Sequence, residues 1–232
     1  MGTDLNLGII PLGTANALAH VLYGGKSKLV PVDVACDHIV EGHIRRIDTA
    51  QCNDRLMLLL AGIGFAQQMI ENAGREEKNE GGQFAYLKAL WQAVNANETL
   101  SLRGKIDDND EQVIEACSLV VANAAPFTTV LAQGGGEPDF EDGLLDITWL
   151  PPGETSGQHI FSMSELAIAG LNQEYRPDNV KHTKARKVRI TSSKKISYVI
   201  DGETFSEDTL NIQTNPASLN VLATLPDISA AG

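Results

Sequence analysis

The chain has 232 residues, of which 43% are hydrophobic and 21% charged, enough to build a substantial core and typical of a globular protein in water. Thirty acidic against eighteen basic residues give a formal charge of −12, which repels polyanions and excludes nucleic acid as a first partner. Cys36, Cys52 and Cys117 are odd in number and lack Cys-x-x-Cys or Cys/His ligand spacing, so they read as buried thiols in a reducing compartment with no structural zinc site.

The N-terminus lacks the basic region and apolar core of a secretion signal, and Asn6 breaks a myristoylation pattern. Residues 5–10 (LNLGII) form an apolar run, as expected of a strand covered on both faces. Gly13 gives a turn, Thr14 or Asn16 can cap, and residues 17–23 carry Leu18, Val21 and Leu22 at helical spacing. From about residue 32 the runs VDVACDHIV, HIRRIDTAQ and RLMLLLAG, separated by Glu41-Gly42 and Asn53-Asp54, read as an antiparallel meander.

Helices are predicted at 66–74 and 82–95, and strands at 99–107, 112–123 and 143–150. A helix near 160–171 precedes strands at 187–191, 195–201, 209–214 and 218–223. The longest apolar stretch, residues 56–66, is about half of the roughly 20 that span a bilayer, so any membrane contact is expected to be peripheral. The fold class expected is α+β: a β-rich, antiparallel, sandwich-like domain over residues 31–226, a short α/β remnant over 1–30 and a fraying tail over 227–232.

Four stretches could carry chemistry, and each has two readings. PLGTAN (11–16) is either a plain helix cap or a turn whose N–H groups, with Thr14 and Asn16, meet a phosphate. GGGEPDFEDGLLDITWL (134–150) is either a solvated acidic hairpin loop or a place where Asp139, Asp142 and a carbonyl such as that of Leu144 hold a hard cation. The Asp201-Gly202-Glu203 segment reads as a type I′ hairpin turn, whose carboxylates could also bind a metal or take a proton from a hydroxyl. The run 181–195 holds seven of the eighteen Lys and Arg residues, and is either a solvated strand face or a patch for phosphates and anionic lipid head groups.

In this order the segments resemble the bacterial diacylglycerol kinase-like lipid kinases, relatives of the diacylglycerol and sphingosine kinases and, more distantly, of NAD kinases. LGIIPLGTANALA is similar to that family's Pro-x-Gly-Thr-x-Asn segment, AGIGFAQQMIENAG to its Gly-x-Gly-Phe segment, VVANAAPFTTVLAQGGGEPDFEDGLLDITWL to its Asn-x-x-x-x-Gly-Gly-Gly to Asp-Gly-Leu-Leu-Asp segment, and YVIDGE to its Asp-Gly-Glu.

The resemblance implies an ATP-dependent kinase acting on a lipid with a free hydroxyl. Thr14 would contact the nucleotide phosphates at the Gly13 turn, with Asn16 supporting that turn. Asp139, Asp142 and the Leu144 carbonyl would hold Mg²⁺, and Glu203 would be the general base, with Asp201 beside it. Three departures stand out: no Gly-Gly-Asp-Gly-Thr loop is present, and Ala17 and Ala66 replace family aspartates. They imply weak ATP binding and no turnover by these residues alone.

A non-catalytic lipid- or small-molecule-binding module is the alternative from another class. An NAD kinase-like enzyme ranks lower, since Asn123 is followed by Ala124 rather than Glu. The expected setting is cytoplasmic, with peripheral contact to an anionic membrane, and an open strand edge at 5–10 makes a homodimer conceivable.

Overall fold

The computed structural model describes residues 5–13, 16–23, 31–64, 67, 99–126, 129–152 and 180–223. In chain order the elements are β1 (Asn6–Leu7), α1 (Ala17–Leu22), α2 (Val32–Glu41), β2 (Ile44–Cys52), β3 (Arg55–Met57), β4 (Leu60–Gly64), β5 (Leu100–Ile106), β6 (Gln112–Ala116) and β7 (Ser118–Ala122). A 3-10 turn at Val130–Ala132 leads to β8 (Leu145–Leu150), β9 (Lys181–Ala185), β10 (Lys187–Ile200) and β11 (Glu203–Leu222). The expected helices at 82–95 and 160–171, Gln67 apart the one at 66–74, Thr14 and the tail lie outside the described residues.

The strands pair in the order β3-β2-β11-β10-β4-β7-β8-β9, with β1 beside β11 and β5 between β10 and β6. Every pairing is antiparallel except β1 with β11. The α+β, β-rich arrangement expected from the sequence is the one observed. β10 is the branching strand: residues 188–191 pair with β5 and residues 198–200 with β4, while β11 runs along its other edge. Both long strands carry an irregularity, between Thr191 and Ile196 and between Asn215 and Leu219, where the sequence suggested two strands each.

Alternation decides what each face buries. In β7 every residue is buried: Leu119 and Val121 join the main core with Leu145, Ile147 and Tyr198, while Val120 and Ala122 join a second cluster with Leu131 and Leu150. Each fully buried aliphatic side chain contributes about 1.5–3 kcal/mol. A third cluster packs Ala19, Leu22 and Tyr23 of the α1 region and Ala35 of α2 on Ile47 and Val221.

Three expectations need correction. Residues 32–40 form a helix, not a strand. Val-Asp-Val alternates, but Val32, Cys36 and Ile39 also recur at helical spacing; Pro31 gives an extended entry and Gly42, at φ 71, ends the helix with its N–H on the His38 carbonyl. β1 is only two residues long and exposed, not covered on both faces. Of the three cysteines, all free, only Cys52 is fully buried, and burial, reinforced by the charge of Glu207, pushes its thiol up to about 12.

Gly64, the second glycine of the Gly-x-Gly-Phe segment, has φ +67, and a Cβ there would lie 2.7 Å from the Cys117 carbonyl oxygen. At Gly202, φ +96, a Cβ would meet nothing within 4 Å. Urea unfolding is therefore expected to show Gly64→Ala losing about 2 kcal/mol or more and Gly202→Ala about 1 kcal/mol. Equal losses would contradict the close approach.

Candidate functional site

The Asp-Gly-Glu segment lies where β10 turns into β11. Asp201 and Gly202 have φ 48 and 96, so both central residues are left-handed, as the type I′ reading requires. This conformation aims the Asp201 carboxylate back across the end of β4. Its Oδ2 accepts the N–H of Leu58 at 2.7 Å, and its Oδ1 those of Leu59 and Leu60 at 3.0 and 2.9 Å. Although the residue is exposed at its outer edge, burial of the carboxyl raises its pKa above the usual range, against the three amides, which lower it. Glu203, two residues on, is exposed opposite Ile200, and no hydrogen bond or ion pair engages it among the described residues.

The same Leu58–Leu60 segment is held from its carbonyl side. Asn123, at the end of β7, donates its backbone N–H to Leu59 O at 2.8 Å and its Nδ2 to Leu58 O at 2.9 Å. The Nδ2 also reaches the carbonyl of Asp48 at 3.1 Å. Asp48, in β2, is 2% exposed, and its carboxylate takes two backbone amides: Gly143 N on Oδ2 and Ala217 N on Oδ1, both at 2.7 Å. Its own N–H goes to the Phe140 carbonyl at 2.8 Å. A continuous chain of hydrogen bonds thus runs from Asp201, through the Leu58–Leu60 backbone, Asn123 and Asp48, to the acidic loop around residues 139–143.

Two side chains, Arg45 and Lys184, pin that loop. Arg45 makes a two-pronged contact with Glu141 at 2.9 and 2.8 Å and lies over the Phe140 ring, 4.9 Å from its centroid. Lys184 meets Asp142 Oδ2 at 2.7 Å and Asp146 Oδ2 at 3.5 Å. Burial works against the Lys184 ammonium, but the hydrogen bond to Asp142 and the charge of Asp146 outweigh it and raise its pKa. Asp146, 2% exposed, also binds His182 Nε2 at 2.7 Å, and the His182 ring occupies the space a side chain at Gly135 would need.

The predicted cation ligands are placed as follows. Asp139 Oδ1 accepts Glu141 N at 2.9 Å, and Asp142 Oδ1 accepts Leu144 N at 2.9 Å. Among the described residues no group of three or more His, Cys, Asp or Glu side chains is gathered to hold a metal. One cation does stand there: the Lys184 ammonium on Asp142. The position thus suits positive charge.

At the Gly13 turn, Asn16 has φ 45, its Oδ1 accepts Gly13 N at 2.8 Å and its Nδ2 donates to Gly13 O at 2.7 Å. The turn is held by Asn16, and the Gly13 amide is occupied. Ile9 and Leu18, on either side of the turn, pack in the same cluster as Phe140, which joins this bend to the acidic loop. Three of the four stretches singled out from sequence are therefore linked, by hydrogen bonds and packing rather than by direct contact of their carboxylates. The linking residues Asp48 and Arg45 went unnoticed in the sequence. The signal was there: an Asp within IRRIDTAQC, flanked by strand-forming residues, has to be satisfied when it is buried.

A fold of this kind, with glycine turns and carboxylates gathered at one set of strand ends, defines a class. Residues 61–223 match the YegS C-terminal NAD kinase beta sandwich-like domain, and residues 1–52 match the diacylglycerol kinase catalytic domain. The chain belongs to the bacterial diacylglycerol kinase-like lipid kinase family, distant to NAD kinase.

An uncharacterized protein of Synechocystis is 38% identical over 224 residues, covering 96% of this chain and 50% of its own length. A diacylglycerol kinase of Mycobacterium tuberculosis is 28% identical over 231 residues, covering 95% of this chain and 70% of the relative. A crystal structure of a diacylglycerol kinase from Bacillus anthracis shares the fold with a TM-score of 0.63 at 16% identity, over 97% of this chain and 69% of that one. The chain thus spans about half the length of the Synechocystis relative. Among the described residues no helix is long and apolar enough to cross a membrane.

Asp48→Asn replaces one acceptor oxygen by a donor facing a backbone N–H. Chemical unfolding is expected to show a loss of about 1.5–3 kcal/mol, as for a hydrogen bond to a charged group. A change below about 0.5 kcal/mol, ordinary for a surface site, would contradict its place in the network.

Proposed function

We propose that this chain is the lipid-binding, carboxylate-bearing portion of an ATP-dependent lipid kinase that phosphorylates a lipid hydroxyl of the diacylglycerol class. The observation that carries this reading is the hydrogen-bonded line joining Asp201 to the acidic loop through Asn123 and Asp48. It supports a division of labour between the two carboxylates of the Asp-Gly-Glu turn. Asp201 has its oxygens committed to three backbone amides and holds the turn. Glu203 is the carboxylate left to take the proton of the attacking hydroxyl.

ATP, when bound, supplies the transferable phosphoryl group, and Mg²⁺ the charge neutralisation that such transfers need. Thr14 and the Gly13 turn are proposed to face the nucleotide phosphates, with Asn16 keeping the turn in shape. Asp139, Asp142 and the Leu144 carbonyl would hold the cation, at a place where Asp142 already carries the Lys184 ammonium. Family membership supports the kinase reading over a non-catalytic binding module.

The test is an assay of the complete gene product with ATP, Mg²⁺ and micellar diacylglycerol, paired with melting curves. Wild type is expected to transfer phosphate and to melt higher with Mg²⁺ than with chelator. Glu203→Gln is expected to lower kcat about 10²- to 10⁴-fold at unchanged melting temperature. Undiminished turnover in Glu203→Gln would remove the base, an identical melting curve with Mg²⁺ and chelator would remove the cation site, and no transfer to any lipid alcohol would leave the binding module.

A further inference from the structure

The basic run 181–195 is not one patch in the fold. Alternation and pairing divide it: Lys184 turns to Asp142 and Asp146, Lys187 pairs with Asp108 at 2.8 Å, and Arg189 stands exposed on the outer face of β10. There Arg189 lies directly opposite Lys105 of β5 on one side and Asn211 of β11 on the other. Two residue pairs further along, Arg103 stands opposite Thr191. Like charges directly opposite across an antiparallel pair are destabilising, so this arrangement calls for a reason.

The surrounding acids do not supply one. Asp107 Oδ1 accepts the backbone N–H groups of Arg186 and Lys187 at 2.9 and 3.0 Å. Asp108 is taken by Lys187, and Lys105 acts on it only through space. Glu111 lies 3.6 Å from Arg103. No hydrogen bond or ion pair joins Lys105 or Arg189 to an acid among the described residues. The two cations line an open groove of about 420 Å³ together with Lys187, the already engaged Asp107 and Asp108, and the carboxamides of Gln51, Asn53, Asn211 and Gln213. A pair of uncommitted cations framed by carboxamides, in a chain of net charge −12, is complementary to a phosphate ester bearing hydroxyls.

We propose that this groove on the outer face of β5, β10 and β11 docks the head group of an anionic phospholipid and seats the protein on a membrane surface. Lys194 and Lys195, exposed further along β10, extend positive charge along the same strand. The inference goes beyond the proposed reaction and rests on charge, register and the groove alone.

The test is co-sedimentation of the protein with vesicles of phosphatidylcholine, with and without phosphatidylglycerol. Binding is expected only with the anionic lipid, and to be lost between about 0.1 M and 1 M salt as the Debye length falls from about 10 Å to about 3 Å. The double variant Lys105→Gln, Arg189→Gln is expected to bind about 25-fold more weakly, about five-fold per cation removed. Its melting temperature should be unchanged or higher, since an opposed like-charge pair is removed, and its turnover of micellar lipid should match wild type. That control separates failure of the docking site from failure of the kinase reading. Wild-type affinity in the double variant, or equal binding to neutral vesicles, would overturn the proposal. Binding of soluble glycerol phosphate without vesicle binding would overturn the membrane as its source.

Discussion

A carboxylate buried inside a β-rich protein must find donors, and Asp48 finds them in two segments far apart in sequence. Its oxygens hold the backbone of Gly143, in the acidic loop, and of Ala217, the left-handed residue within the irregular stretch of β11. Through its carbonyl it also meets Asn123, whose amide reaches on to the Leu58–Leu60 segment that Asp201 clasps from the other side. An unpaired buried charge would cost several kcal/mol, so these bonds form together or the region does not close. The arrangement of carboxylates proposed for catalysis is a consequence of satisfying residues that never need to touch substrate.

The strands at 99–107 and 143–150 were legible because apolar residues alternate and turn residues bound them. The Asp201-Gly202 turn was legible because few residues besides Gly, Asn and Asp tolerate its backbone angles. The segment at 32–40 was not, because its apolar positions satisfy both periods and the deciding features, Pro31 before and Gly42 after, are local backbone effects. The merging of four short strands into β10 and β11 was hidden for a different reason. Stretches such as Ser192–Ser193 and Pro216–Ala217 read as turns, and only pairing with neighbouring strands carries the chain through them as irregularities.

For the site, sequence motifs pointed to residues that could bear chemistry but not to those that bring them together. Asp139, Asp142, Asp201 and Glu203 are visible as carboxylates beside glycines. Asp48, Asn123 and Arg45 act over separations of 65 to 169 residues, which no local pattern encodes. Lys184 shows the same limit in reverse: within a basic run it resembles a solvated side chain, yet the fold turns it onto Asp142 and Asp146.

The coupling of the two loops is tested most directly by backbone amide hydrogen exchange in wild type and in Asn123→Ala. In wild type, Leu58, Leu59, Leu60, Gly143 and Ala217 are expected to be protected well beyond what loop residues show. In the variant all five should lose protection together, while Leu102 and Ile114 in β5 and β6 keep theirs. Loss confined to Leu58–Leu60, with Gly143 still protected, would mean that the two loops are held separately and would contradict the account.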